Sequence, residues 1–301
     1  MRAGPDGSAE WRTVRVARVL GMLATTALLA GCLGTSADGG IGGNGGDGYG
    51  GWGGNGYGGN GGNANGRAGA DGAADAAGGG FSDPAAVAGS GRLISRTIDL
   101  AEVTSVVAEA DFVVHLRAGG TAQAIVTMDD NLADRVDATV TGDQLRLGIK
   151  PGRSVRNATL SADVTVGRLD RLAASAASRV VLTSTINSPR LQVVVSGAGS
   201  VTGPVQIGPV EADVSGSGTL GLSGQVRDLR LQAVGAGRLR LADLTVRHLD
   251  ATLSGASRTV VTVSDTLAVE ATGASMLRYR GTPEITHSQT SGMSSVVADS
   301  P

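Results

Sequence analysis

The stretch Leu191-Gln192-Val193-Val194-Val195-Ser196-Gly197-Ala198-Gly199-Ser200-Val201 decides the fold. Leu191, Val193 and Val195 share one side of a chain with period two, the pattern of a strand that buries one face. Ser196-Gly197-Ala198-Gly199 interrupts it with small residues, and glycine supplies the backbone freedom of a tight corner. Val201 then resumes the apolar side, so a second strand is expected to start there.

The phrase recurs. Outward from this copy lie Ser175-Ala176-Ala177-Ser178, Ser215-Gly216-Ser217-Gly218, Val234-Gly235-Ala236-Gly237, Ser254-Gly255-Ala256-Ser257, Thr272-Gly273-Ala274-Ser275 and Ser291-Gly292-Met293-Ser294. The seven copies start 21, 19, 19, 20, 18 and 19 residues apart. A fixed period of this size points to one coil of a solenoid per copy. The apolar position five residues into each copy also repeats, as Val180, Val201, Leu220, Leu239, Leu277 and Val296, with Thr259 the exception. Equivalent strands on successive coils run parallel, and the hand of β-crossover-β connections favours a right-handed helix. The expectation is an all-β, right-handed, single-stranded parallel β-helix of about seven rungs over residues 169–301.

Residues 90–168 are less regular. Strand-like runs fall at 105–108, 112–117, 122–128, 136–141 and 144–150, and Gly119-Gly120 and Gly142-Asp143 read as hairpin turns. This segment is expected to cap the amino-terminal end of the solenoid and to share its core, so residues 90–301 count as one folded domain. The whole chain has only seven aromatic residues. A thin core of Val, Leu, Ala and Ile is therefore expected, since a broad globular core draws on large aromatic side chains.

The amino-terminal third carries an address. Arg12, Arg15 and Arg18 precede an apolar run from Val19 to Ala30, the length of a signal-peptide core and too short for a stable bilayer span. The run ends Leu29-Ala30-Gly31-Cys32, the form of a bacterial lipobox. Cys32 is the only cysteine in the chain, so no internal disulfide is possible, and lipidation of its thiolate accounts for it. Residues 1–31 are thus read as a lipoprotein signal peptide and Cys32 as the lipidation site. Leu33 stands where an aspartate would favour retention at the inner membrane, which points to the outer membrane or cell surface.

Residues 32–89 read as a glycine-rich tether with too little apolar surface to fold. Taken as a coil of about 50 residues it spans roughly 40 Å. Gly42-Gly43-Asn44-Gly45-Gly46-Asp47-Gly48-Tyr49 resembles the start of a calcium-binding nonapeptide. Later copies come at a period of eight and replace the acidic ligand with Asn55 and Asn63, so no calcium site is expected.

The folded part resembles the auto-transporter adhesin head GIN domain family. The resemblance is carried by Gly89-Ser90-Gly91-Arg92, by GDQLRLGIKPG from Gly142 to Gly152, by VRNATLSADVTV from Val155 to Val166, and by the serial SGAG and SGAS phrases. It implies a right-handed, pectin-lyase-like β-helix, a role in adhesion and no catalytic residues to carry over. Ala176, in place of the usual glycine, is a departure that bears on the first corner.

The residues offer little chemistry. His115, His248 and His287 are scattered without cysteine or helical-spaced histidine partners, so neither metal nor cofactor is expected. No Gly-x-Ser-x-Gly elbow is present. The outward position four before each phrase reads Arg171, Gln192, Glu211, Arg230, Asp250, Ala268 and His287. Glu211 and Asp250, two rungs apart across Arg230, are either a cross-strand ion-pair ladder or the carboxylates of a carbohydrate-active enzyme; the ladder is expected. With 25 basic against 27 acidic residues, and no basic stripe or aromatic interleaving expected in the folded part, nucleic acid is not an expected partner. The reading is a non-enzymatic envelope lipoprotein that touches the membrane through Cys32 and binds a surface glycan or protein, with a carbohydrate-active β-helix enzyme, or a structural envelope protein that binds the wall or other lipoproteins, as the alternatives.

Overall fold

The computed structural model describes residues 85–100 and 102–299. The expected signal peptide, Cys32 and the glycine-rich segment as far as residue 84 lie outside them.

Each phrase marks a corner, and the strands on either side of it stack in parallel. Leu191–Val195 pairs with the end of Ser200–Gly216, which pairs along nearly its whole length with Thr219–Gly235. Arg238–Gly255, Arg258–Ala271 and then Met276–Arg280 with Glu284–Thr290 continue the stack. Ser295–Ala298 ends it on the far side of Met276–Arg280. The result is a parallel β-solenoid of about seven turns with rungs of about 19 residues.

The phrase has a steric cause. At each corner the third residue donates its amide to the carbonyl of the second residue one rung earlier, as in Ala236 to Gly216 at 2.7 Å and Ala274 to Gly255 at 2.7 Å. A Cβ on Gly235 would lie 2.6 Å from that same Gly216 oxygen, and φ there is +110°. Left-handed backbone and close approach together exclude a side chain. Ala176 nevertheless adopts the same conformation, with φ +56°. Its corner is looser: Ala177 reaches the Ala110 carbonyl only at 3.2 Å.

Inside, one continuous cluster runs from Leu100 to Leu277, and Val, Leu, Ala and Ile dominate it. Val180, Val201, Leu220, Leu239 and Leu277 are all fully buried or nearly so. Thr259 shares that column with 1% exposure, and its hydroxyl has no hydrogen-bond partner.

The amino-terminal segment joins the solenoid in an order the chain does not suggest. Ser105–Ala108 and Val113–Ala118 stack directly on Arg171–Ala174 and Arg179–Leu182. Their corner, Glu109-Ala110-Asp111-Phe112, repeats the phrase geometry without its residues, Ala110 taking φ +57°. Gln144–Ile149 and Leu160–Val166 then stack outside that pair. Chain order is therefore inverted: residues 105–118 lie between 144–166 and 171–182. Gln123–Asp129 and Val136–Thr141 pair antiparallel with this outer pair, and Leu93–Asp99 pairs antiparallel with Gln123–Asp129 beyond it, which ends the stack at this side.

Gly142-Asp143 joins directly paired strands as a two-residue hairpin, with Thr141 opposite Gln144. Gly119-Gly120 does not. Leu160–Val166 sits between the two strands it connects, parallel to one and antiparallel to the other. The reversal is a wide one, because a strand from 40 residues later fills the gap.

The Gly89-Ser90-Gly91-Arg92 segment also acquires a physical reason. The Asp129 carboxylate, 1% exposed, accepts the amides of Gly91 and Thr159, both at 2.7 Å. A Cβ on Gly89 would meet Asp129 Oδ2 at 2.6 Å. Ser90 Oγ donates to Asp130 at 2.5 Å, and Asn131 Nδ2 donates to the Ala88 carbonyl at 2.8 Å. Val87–Ala88 adds a short parallel pairing to Val155–Arg156. The chain enters the solenoid through this clamp.

Candidate functional site

Register turns the sequence column into a physical one. Arg171 pairs with Gln192, Gln192 with Glu211, Glu211 with Arg230, Arg230 with Asp250, Asp250 with Ala268 and Ala268 with His287. Below Arg171 the column continues through Ser105 to Gln144. Alternation along each strand sends all of these outward, at about 4.8 Å per rung.

Six successive members, from Gln144 through Ser105, Arg171, Gln192 and Glu211 to Arg230, floor an open groove of about 650 Å³. Arg190, Pro209 and Asp228 border it from the preceding corner. Within the groove Arg171 donates to the Gln192 amide oxygen, and Thr104 Oγ1 donates to Asp143 at 3.0 Å. Among the described residues no ion pair joins Glu211, Arg230 or Asp250. The expected ladder is absent, although the register that would permit it is present. The nearby ion pairs form instead at the corners, Arg168 with Asp170 at 2.7 Å and Arg227 with Asp228 at 2.8 Å. Glu211 and Arg230 thus keep their hydrogen-bonding capacity for a ligand.

Asp250 opens onto a different hollow, of about 260 Å³, with Arg230, His248 and Thr266. The two carboxylates considered as a catalytic pair lie two rungs apart with Arg230 between them, roughly 10 Å at strand spacing. No aromatic side chain lines either space to carry a sugar ring.

The histidines are dispersed. His115 faces Asp163 at 3.5 Å, His287 faces Glu270 at 3.6 Å, and His248 Nδ1 lies 3.0 Å from Thr266 Oγ1. Among the described residues no group of three or more His, Cys, Asp or Glu is placed to hold a metal ion. Ser196, Ser215 and Ser254 sit at the rung corners, as their recurrence implies. Cys32 lies outside the described residues.

The structure corrects one expectation, that the folded part carries no basic stripe. On the strands that follow the corners, Arg238 is paired in register with Arg258, and Arg240 and Arg278 flank Val260 in the next outward column. Arg280 follows on the same strand as Arg278. A basic stripe thus exists on this face, assembled from residues 18 to 20 apart in pairing register.

Comparison with known proteins agrees with this architecture. No curated protein matches the chain significantly. Crystal structures similar to it include a "putative adhesin" from Parabacteroides merdae, at 18% identity and TM-score 0.59, covering 71% of this chain and 99% of that one. A "putative adhesin" from Bacteroides fragilis has 17% identity and TM-score 0.63, covering 71% and 100%. A "putative lipid binding protein" from Parabacteroides distasonis has 18% identity and TM-score 0.56, covering 71% and 99%. At such identities the likeness is one of fold. The family model described as "Putative auto-transporter adhesin, head GIN domain" matches residues 102–283, from the inverted cap to the penultimate rung. The chain belongs to the auto-transporter adhesin head GIN domain family.

Proposed function

We propose that the protein is an envelope lipoprotein, anchored through Cys32, whose solenoid is a non-catalytic adhesion or binding module held away from the membrane by the glycine-rich tether. The observation that carries this reading is the open groove along the Gln144 to Arg230 column. It is long, shallow and polar, and its charges are fixed on rigid strands, which suits an extended ligand better than a small substrate enclosed for chemistry. Membership of an adhesin family supports the same role. The spacing of Glu211 from Asp250, roughly 10 Å over two rungs, disfavours the hydrolase alternative, since paired glycosidase carboxylates lie about 5 to 9.5 Å apart.

Deleting the gene and restoring it with wild-type or Cys32→Ala copies tests the reading. Attachment of cells to glycan-coated and protein-coated surfaces should fall on deletion and return with the wild-type copy alone. Attachment unchanged by deletion on every surface would contradict it.

A further inference from the structure

We infer that the arginine face formed by Arg238, Arg240, Arg258, Arg278 and Arg280 is a binding surface for a linear acidic polysaccharide. The inference builds on the surface-binding reading above and names a ligand class for a second face of the solenoid, around the corner from the groove.

The first support is a cost without a structural return. Arg238 and Arg258 are direct partners on adjacent rungs, both exposed, and like charges placed opposite one another destabilise a sheet. The same column holds Ser200 and Thr219 on the two preceding rungs, so a small neutral residue fits there. Burial gives no reason for arginine either, because Leu239 and Thr259, not the arginines, face the core.

The second support is the lack of local compensation. Arg146, Arg168, Arg227 and Arg247 each hold a carboxylate within 4 Å. Among the described residues Arg238, Arg240 and Arg258 have no such partner. Asp299 is the one carboxylate paired on this face, and it reaches Arg280 at 3.1 Å and Arg278 at 4.0 Å.

The third support is the form of the patch. Positive charge recurs on three successive rungs, about 4.8 Å apart, on a flat sheet. A chain polymer bearing a carboxylate or sulfate on successive sugars can cross these rungs and meet several guanidinium forks, which suit such anions. Other polyanions fit less well. Tyr279 is half-buried and packs against the core from the side of its strand opposite Arg278 and Arg280, so among the described residues no aromatic platform for bases lies between the arginines. Among the described residues no α-helix projects to enter a duplex groove. Exposed large apolar side chains near the patch are scattered, Val297 paired with Arg278 and Val234 and Met293 at neighbouring corners, which is less than the continuous apolar face that enters a lipid surface.

The test uses the purified full-length chain and immobilised polygalacturonate and dextran sulfate, with neutral dextran, anionic phosphatidylglycerol vesicles and duplex DNA as comparisons. Wild-type protein should bind the two acidic polysaccharides, weaken as salt rises, and ignore dextran. The double variant Arg238→Thr with Arg258→Thr, which copies the preceding rungs, should bind at least about tenfold more weakly while keeping or raising the thermal midpoint. Arg96→Gln, on the cap, should bind as wild type. Equal affinity of the double variant, no binding by the wild type, or tighter binding to vesicles or DNA would each overturn the inference. Because this is binding in solution, it can fail while deletion still abolishes adhesion, and it can succeed if adhesion proves unaffected.

Discussion

At the scale of single residues, the solenoid is governed by what fits at a corner and what is satisfied in the core. Ala176 occupies the left-handed conformation that the other six phrases assign to glycine, and this conformation costs an L-residue roughly 1–2 kcal/mol. Ala176→Gly should therefore raise stability by about 1 kcal/mol, the strain relieved being partly offset by a more flexible unfolded chain. Urea denaturation checks it, and a loss of stability would show that the corner tolerates alanine without strain. Thr259 tells the complementary story. Its buried hydroxyl lacks a partner in a column otherwise made of Val and Leu. Thr259→Val keeps the shape and removes the unmet polar group, so a gain of about 1 kcal/mol is expected in the same assay; an unchanged midpoint would mean that the hydroxyl is satisfied in solution. Both residues are visible in the sequence as exceptions to a repeat. Their physical consequences emerge only from the rung-to-rung geometry.

At the scale of elements, the repeat made the phrase-bearing rungs legible because each is built from contacts of nearly constant sequence separation. Alternation, corner and register could all be counted along the chain. The cap could not be read that way. Glu109-Ala110-Asp111-Phe112 makes a corner without glycine or serine, so it carries no mark of the repeat. The insertion of Leu160–Val166 beside Val113–Ala118 depends on pairing choices that no local pattern encodes. Five strands of the cap are legible in the sequence, whereas Leu93–Asp99, Leu160–Val166 and the stacking order are not.

The entry clamp has a pH signature of its own. Asp130 is held below its ordinary value of 3.8, chiefly by the Ser90 hydroxyl and further by Arg92. Its folded form thus prefers the carboxylate more than its unfolded form does. The stability this contributes is present above the unfolded pKa and disappears as pH falls through the lower folded one. Asp130→Asn should accordingly be less stable than wild type at pH ~7, with the gap closing below pH ~4, where both side chains approach neutrality. Thermal unfolding across that range checks the sign, and a gap that persists or widens in acid would contradict the clamp's electrostatic part.

At the scale of the whole molecule, a net charge of −2 conceals a division between faces. The groove-bearing strands present Glu211, Asp213, Asp250 and Glu270 outward around Arg230, whereas the strands beyond the corner present the five arginines. Composition could not reveal this, because residues that adjoin in the solenoid lie 18 to 20 apart in the chain. The candidate groove was partly legible, since the Arg171 to His287 column follows from the same count that gave the rungs. Its floor was not, because Ser105 and Gln144 enter the column only through the inverted cap. The arginine face was missed for the same reason that it forms, namely that pairing register, not sequence proximity, gathers it.

The proposed function requires a binding module displayed outside the cell on a protease-accessible glycine-rich tether. Brief protease treatment of intact cells, followed by mass analysis of the released material, tests this most directly. The expected result is cleavage between residues 39 and 80 and release of a resistant fragment that contains residues 85–299. A chain that stays whole on intact cells and is cut only after lysis would contradict surface display.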